Sequence, residues 1–201
     1  MCNYVIASQK GGSGKTTIAR NLVVALGSAG LIDLDPQQSL TRWFSKREGD
    51  GVELVEGVTF DKLPQAIKAL KRASCKNIII DTPPSDHPWM RGVFEQASIV
   101  LLPVKPTADD LRAIGPTLDM ADALGVPFIS ILNQVPARSR LTEEAARTLA
   151  GRGKVAPIYV GNRVAYPETS STGQGVTEYM DKKAATEITE LAKYVNQQIR
   201  K

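Results

Sequence analysis

The chain has 201 residues, 42% of them hydrophobic and 23% charged, with a formal net charge of +4. That is enough apolar chain for one globular domain with its own core, and no apolar run approaches the ~20 residues of a membrane span. The cysteines, Cys2 and Cys75, form no C-x-x-C pair, which leaves no case for a zinc site, an iron–sulfur cluster or a disulfide framework.

The first residues, Met1-Cys2-Asn3-Tyr4-Val5-Ile6-Ala7, carry no basic leader and no cleavage site, so a cytoplasmic protein is expected. Residues 4–7 read as a strand, and a helix starts at Lys15 and ends near Gly27. Short apolar runs at 31–34, 78–80, 99–104 and 128–132 read as further strands, with 155–160 as another candidate. Several are apolar on successive residues, as strands covered on both faces are. Helix-length stretches fall at about 62–74, 108–124 and 142–150. A last helix follows Asp181 as N-cap, with Ala184, Ile188, Leu191, Val195 and Ile199 on one stripe. Alternating strands and helices predict a single α/β domain over 1–201: a mostly parallel twisted sheet with helices on both faces and ligand chemistry at the carboxyl ends of the strands.

Between the first strand and first helix lies Ser8-Gln9-Lys10-Gly11-Gly12-Ser13-Gly14-Lys15-Thr16-Thr17. The phosphate-loop pattern G-x-x-x-x-G-K-[ST] fits except at its first glycine, where Gln9 stands, and a second lysine, Lys10, follows. The strand–loop–helix placement is the one this P-loop NTPase motif requires. Glycines 11, 12 and 14 let backbone N–H groups approach phosphate oxygens, and the helix N-terminus adds its positive end. Lys15 would reach the β- and γ-phosphates of a nucleotide, and the Thr16 hydroxyl would take a Mg²⁺ position. Asp81 ends the apolar strand Ile78-Ile79-Ile80 as a second carboxylate for the metal. Asp33 and Asp35, in Asp33-Leu34-Asp35-Pro36-Gln37, alternate to the same side, toward the γ-phosphate region. One carboxylate near the metal and one near an attacking water would suit in-line hydrolysis. The bland alternative for this pair is an aspartate turn capping the next helix.

Together these residues resemble the ParA/MinD family of deviant Walker A ATPases, whose loop reads K-G-G-x-G-K-[ST]-[ST], as Lys10 to Thr17 does here. The resemblance continues through Asp33 to Gln37, Asp81-Thr82-Pro83-Pro84, Pro103-Val104-Lys105-Pro106-Thr107 and Asn133 after the 129–132 strand. Arg163-Val164-Ala165-Tyr166 followed by Gly173 is similar to the small ParA proteins in particular. The resemblance implies that Lys10 is the signature lysine, which crosses a dimer interface to the phosphates held by the partner, as an arginine finger does. It implies ATP and Mg²⁺ as ligands, with Gly11, Gly12, Ser13, Gly14, Lys15, Thr16 and Thr17 around the phosphates. Asp35 would orient the hydrolytic water, Asp33 and Asp81 would support Mg²⁺, and Asn133 would read the adenine. The chain departs from the family at Gly30, followed directly by Leu31-Ile32-Asp33, so the second strand is expected to be short or entered by a tight turn.

Basic residues cluster at Lys68, Lys71, Arg72 and Lys76, opposite the Leu63/Ile67/Leu70 stripe; at Arg138, Arg140, Arg147, Arg152 and Lys154; and at Arg163, Lys182, Lys183, Lys193, Arg200 and Lys201. On charge alone each is a solvated face. In the ParA branch, basic residues of the C-terminal region bind DNA without sequence preference, so the resemblance implies DNA contacts at Arg163, Lys182 and Lys183. The lone histidine, in Asp86-His87-Pro88-Trp89, reads as a loop residue, not a ligand. The expectation is therefore a homodimeric ParA-like Mg-ATPase, cytoplasmic and nucleoid-associated when ATP-bound. A ParB-like or adaptor protein would stimulate it, and it would partition a plasmid or chromosome region or position a cargo. The alternatives are a regulatory or metabolic P-loop ATPase that ignores DNA, and MinD-like membrane association. The latter uses an amphipathic tail for which the sequence offers no segment.

Overall fold

The chain is described by a computed structural model that covers residues 1–84, 87–137 and 139–199. Arg138, Arg200 and Lys201 of the basic clusters, and Asp86 beside His87, lie outside the described residues. Isoleucine, valine and leucine runs form the strands β1 (Cys2–Ile6), β2 (Ala29–Asp33), β3 (Val52–Val55), β4 (Asn77–Asp81), β5 (Ile99–Val104), β6 (Phe128–Leu132) and β7 (Lys154–Val155). They make one sheet in the order β3-β2-β4-β1-β5-β6-β7, every pair parallel. The chain first fills one side of β1, with β2 and β3 and then β4 inserted next to β1, and later fills the other side. The carboxyl end of β1 is thus the switch point, where open α/β sheets bind ligands.

Successive residues of a strand serve opposite cores. Tyr4, Ile6, Leu31, Ile79 and Leu101 pack with Ile18 and Leu22 of α1 (Lys15–Leu26) and Ile188 and Leu191 of α9 (Lys182–Ile199). Val5, Ile32, Ile78, Ile80 and Leu102 face the other way, onto Ile67 and Leu70 of α3 (Leu63–Arg72), Leu118 of α6 (Gly115–Leu124) and Leu149 of α7 (Arg140–Ala150). Burial on both faces is why these strands read as unbroken apolar runs. The apolar stripe of α9 is spent in the first core. Among the described residues no helix is long and apolar enough to cross a membrane.

Several boundaries differ from the sequence reading. The second strand starts at Ala29, entered by a tight turn in which Gly27 and Ser28 both take positive φ, 57° and 43°. This is how the shortened connection is accommodated. Within β2, a Cβ on Gly30 would lie 2.6 Å from the Leu70 methyl carbons, so the missing side chain lets α3 settle on the sheet. The stretch 108–124 is two helices, α5 (Ala108–Ala113) and α6, divided where Gly115-Pro116 starts a new one. Of 155–160 only Val155 joins the ladder. Strand β3 and the short helices α2 (Ser39–Phe44), α4 (Met90–Phe94) and α8 (Ala165–Ser171) have no counterpart in the sequence reading.

Candidate nucleotide site

Residues 7–14 link β1 to α1 at the switch point. Gly14 has φ 96°, and a Cβ there would stand 2.0 Å from Asn133 Nδ2, so only glycine fits. Asn133 donates to the Ser13 carbonyl at 2.8 Å, and Gln134 donates to the Gly12 carbonyl at 2.9 Å. With those carbonyls tied from behind, the N–H groups of Gly11, Gly12, Ser13 and Gly14 donate to no described residue. They are left for an anion at the N-terminus of a twelve-residue helix.

In front of the loop is a cavity of about 310 Å³ lined by Gly11, Gly12, Lys15, Thr16, Asp35 and Gln134, among others. Lys15 is almost fully buried, and its ammonium reaches the Lys10 carbonyl at 3.4 Å. Burial lowers its pKa, opposed by the charges of Asp81 and Asp35. Thr16 Oγ1 donates to Asp81 Oδ2 at 2.6 Å. Asp81 is completely buried, and burial pushes its carboxyl up to about 7. Among the described residues its second oxygen has no hydrogen-bond partner, and neither does the buried Ser13 hydroxyl. A cation beside Thr16 would supply what Asp81 lacks. Among the described residues no group of three or more His, Cys, Asp or Glu could hold a metal unaided. This fits a hard cation such as Mg²⁺ that takes one hydroxyl, one carboxylate and substrate phosphates.

Asp33 and Asp35 do not act as an alternating pair. Asp33 closes β2 in register with Asp81, but its carboxylate accepts from the Asp35 N–H and from the N–H and hydroxyl of Thr41, at 2.9 to 3.1 Å. It therefore caps α2, the bland alternative, rather than turning to the metal position. Asp35 lies past the strand, accepts from the Gln37 N–H and lines the phosphate cavity.

Lys10 does not enter its own phosphate cavity. Its ammonium is 2.5 Å from Asp110 Oδ2, with Lys10 38% exposed and Asp110 4%. Thr107 N-caps α5 and donates to the same oxygen, while Asp110 Oδ1 is buried without a partner among the described residues. Sequence reading missed Asp110 and Gln134. A buried acid in the first turn of a short helix carries no local signal, whereas the carboxamide following Asn133 was open to notice.

A second cavity of about 170 Å³ is lined by Asn133, Arg20, Gly161, Arg163 and Tyr166. Thr17 and Gln134 line it as well as the first, so the two cavities are neighbours beside the loop. Arg163, expected on the DNA face, points instead to this cavity and is neutralised by Glu187, with Nη2 2.5 Å from Oε1. That pairing raises its pKa. Lys182 and Lys183 remain exposed at the start of α9, where Asp181 accepts from the N–H groups of Lys183 and Ala184 as the N-cap. Lys68, Lys71, Arg72 and Lys76 are exposed too.

The CobQ/CobB/MinD/ParA nucleotide-binding domain profile matches residues 4–176. The chain belongs to this family. Among relatives within the CobQ/MinD/ParA family, the maintenance of carboxysome distribution protein A of Halothiobacillus neapolitanus is 29% identical over 202 residues, 92% of each chain. Two family structures share the fold. A chain of the MinC:MinD cell division protein complex of Aquifex aeolicus has a TM-score of 0.82 at 16% identity, covering 98% of this chain and 96% of that one. The septum site-determining protein MinD of Pyrococcus horikoshii, complexed with Mg-ADP, has a TM-score of 0.78 at 21% identity, with the same coverage.

Proposed function

We propose that the chain is a Mg-dependent ParA-type ATPase that dimerises around two ATP molecules, binds duplex DNA without sequence preference in that state, and positions a large cargo. The observation that carries this reading is the placement of two lysines: Lys15 inside the phosphate cavity and Lys10 outside it, on Asp110. A loop serving its own nucleotide alone has no use for Lys10. A loop that also serves a partner needs a cation at its lip. Mg²⁺, when bound, supplies charge to offset what gathers on the β- and γ-phosphates. Thr16 and Asp81 would hold it, and Lys15 would bind the phosphates. Asp35 sits where a carboxylate could orient water, and Lys10 exchanges Asp110 for the partner's phosphates. Asn133 and the adjoining cavity receive the adenine.

For DNA, Lys182 and Lys193 lie eleven residues apart on α9, about 20° apart in projection and ~16 Å along the axis. With Lys183 they form an exposed basic edge that pairing would double. The carboxysome role in the name of the Halothiobacillus neapolitanus relative supports a large protein body as cargo, with a plasmid or chromosome region as the other candidate. A cargo-bound adaptor or ParB-like protein would stimulate hydrolysis. Retention on random duplex DNA with ATP, with ADP and without nucleotide tests the reading, alongside phosphate release. Retention with ATP alone supports it. Hydrolysis with no retention in any state would leave a family ATPase that acts on a small molecule or a protein.

A further inference from the structure

Glu187 gathers more donors than any other carboxylate in the C-terminal third among the described residues. It accepts from the Gly161 N–H at 3.1 Å, from Arg163 through Nε and Nη2, and from the Tyr166 hydroxyl at 3.3 Å. All three donor residues line the smaller cavity, together with Asn133. Their segment has little ladder of its own: an isolated bridge joins Val135 to Gly161, and Asn162 N–H donates to the Val135 carbonyl. A guanidinium held along one edge by a carboxylate is fixed in its plane, and its faces stay free to stack on a ring. In the same cavity wall, the buried Arg20 donates to the Tyr166 carbonyl and has no carboxylate partner among the described residues. It braces the segment from the helix that starts at the phosphate loop.

We infer that Glu187 is a positioning residue for base recognition. It holds Gly161, Arg163 and Tyr166 as one wall of the cavity that Asn133 also lines, with the Arg163 plane as the surface on which the nucleobase stacks. The inference rests on the ATP reading above and adds a residue of α9, outside the phosphate loop and its carboxylates. Because Glu187 is about one turn from Lys182 and Lys183, the residue that holds the wall and the basic edge share one helix.

The test separates base from phosphates. Affinity for ATP and for inorganic tripolyphosphate is measured by competition against a fluorescent nucleotide in the parent, Glu187→Ala, Arg163→Ala, Tyr166→Phe and the Arg163→Ala/Glu187→Ala double variant. Glu187→Ala and Arg163→Ala should each weaken ATP about tenfold, in the range of a lost stacking contact, with tripolyphosphate unchanged. The double variant should be no worse than Arg163→Ala, since both act through one wall. Equal losses for ATP and tripolyphosphate, or no loss for ATP, would overturn the inference. If Glu187→Ala does not fold, Arg163→Ala and Tyr166→Phe carry the same comparison with Glu187 intact. A parent that binds neither ligand would overturn the proposed function itself.

Discussion

The hydroxyl of Thr16 lies 2.6 Å from Asp81 Oδ2, inside the protein and beside the phosphate cavity. Asp81 is an acid whose folded pKa, about 7, stands above the ~3.9 of an unfolded chain. Between those values the folded chain keeps a proton that the unfolded chain has released. Stability from this group is therefore greatest at low pH and falls as pH rises toward ~7. With chelator present and no nucleotide, the parent's Tm should drop by several degrees from about pH 5 to about pH 8, and Asp81→Asn should flatten that slope. A parent and variant with parallel pH profiles would remove Asp81 as the cause.

Asp110 holds Lys10 within its own chain, so a dimer that uses Lys10 must first break that pair. Asp110→Asn should lower the ATP concentration for half-maximal dimer by two- to fivefold, about 1 kcal/mol or less for a partly exposed pair. Lys10→Ala should leave a monomer by light scattering even with ATP. A Lys10→Ala protein that dimerises and hydrolyses as the parent does would make Lys10 a structural residue.

Lys15 and Asp35 line one cavity and should fail differently. Lys15→Ala removes the phosphate cation, and nucleotide binding should weaken by about two orders of magnitude. Asp35→Ala should bind ATP as before and lose about a hundredfold or more in turnover. Full turnover in Asp35→Ala would move the water-orienting role elsewhere.

The exposed lysines of α9 predict a salt signature. If each protomer meets about three phosphates, log K against log salt for the ATP dimer has a slope near −5. Charge reversal at Lys182 and Lys183 should flatten it by ~2 or more for every duplex sequence. Arg163→Ala should act on nucleotide affinity and leave the slope alone once ATP is saturating. Lysines 68, 71 and 76 are the comparison set, and loss with those alone would relocate the surface to α3.

Gly30 tests the packing of α3. A Cβ at that position meets buried Leu70 at 2.6 Å, and Gly30→Ala should cost about 1–3 kcal/mol as overpacking. Chemical denaturation measures it. Gly30→Ala combined with Leu70→Ala should recover part of the loss.

The apolar runs announced β1, β2, β4, β5 and β6, because strands covered on both faces need no alternation, whereas the 155–160 candidate meets β7 only at Val155. β3 escaped notice because Glu53 interrupts it and Gly49, Asp50 and Gly51 precede it. Helices α2, α4 and α8, with six, five and seven residues, are too short to show a 3.6-residue period. At the site, the loop, Asp81 and Asn133 are legible because each directly follows or ends an apolar strand run. Asp33 and Arg163 are not. Their partners, Thr41 and Glu187, lie eight and twenty-four residues away, on helices whose orientation is decided by tertiary packing.

Strand β1 sits between β4 and β5, which begin at Asn77 and Ile99. A ribosome therefore makes the phosphate loop well before it makes either strand that holds the loop in place. At 5–20 residues per second the delay is on the order of 5–20 s. During it, Tyr4, Val5 and Ile6 have no ladder partner on either edge, the kind of segment that recruits a chaperone or a neighbouring chain. The nucleotide loop is synthesised before the strands that flank it and cannot take its shape until Val104 has left the exit tunnel.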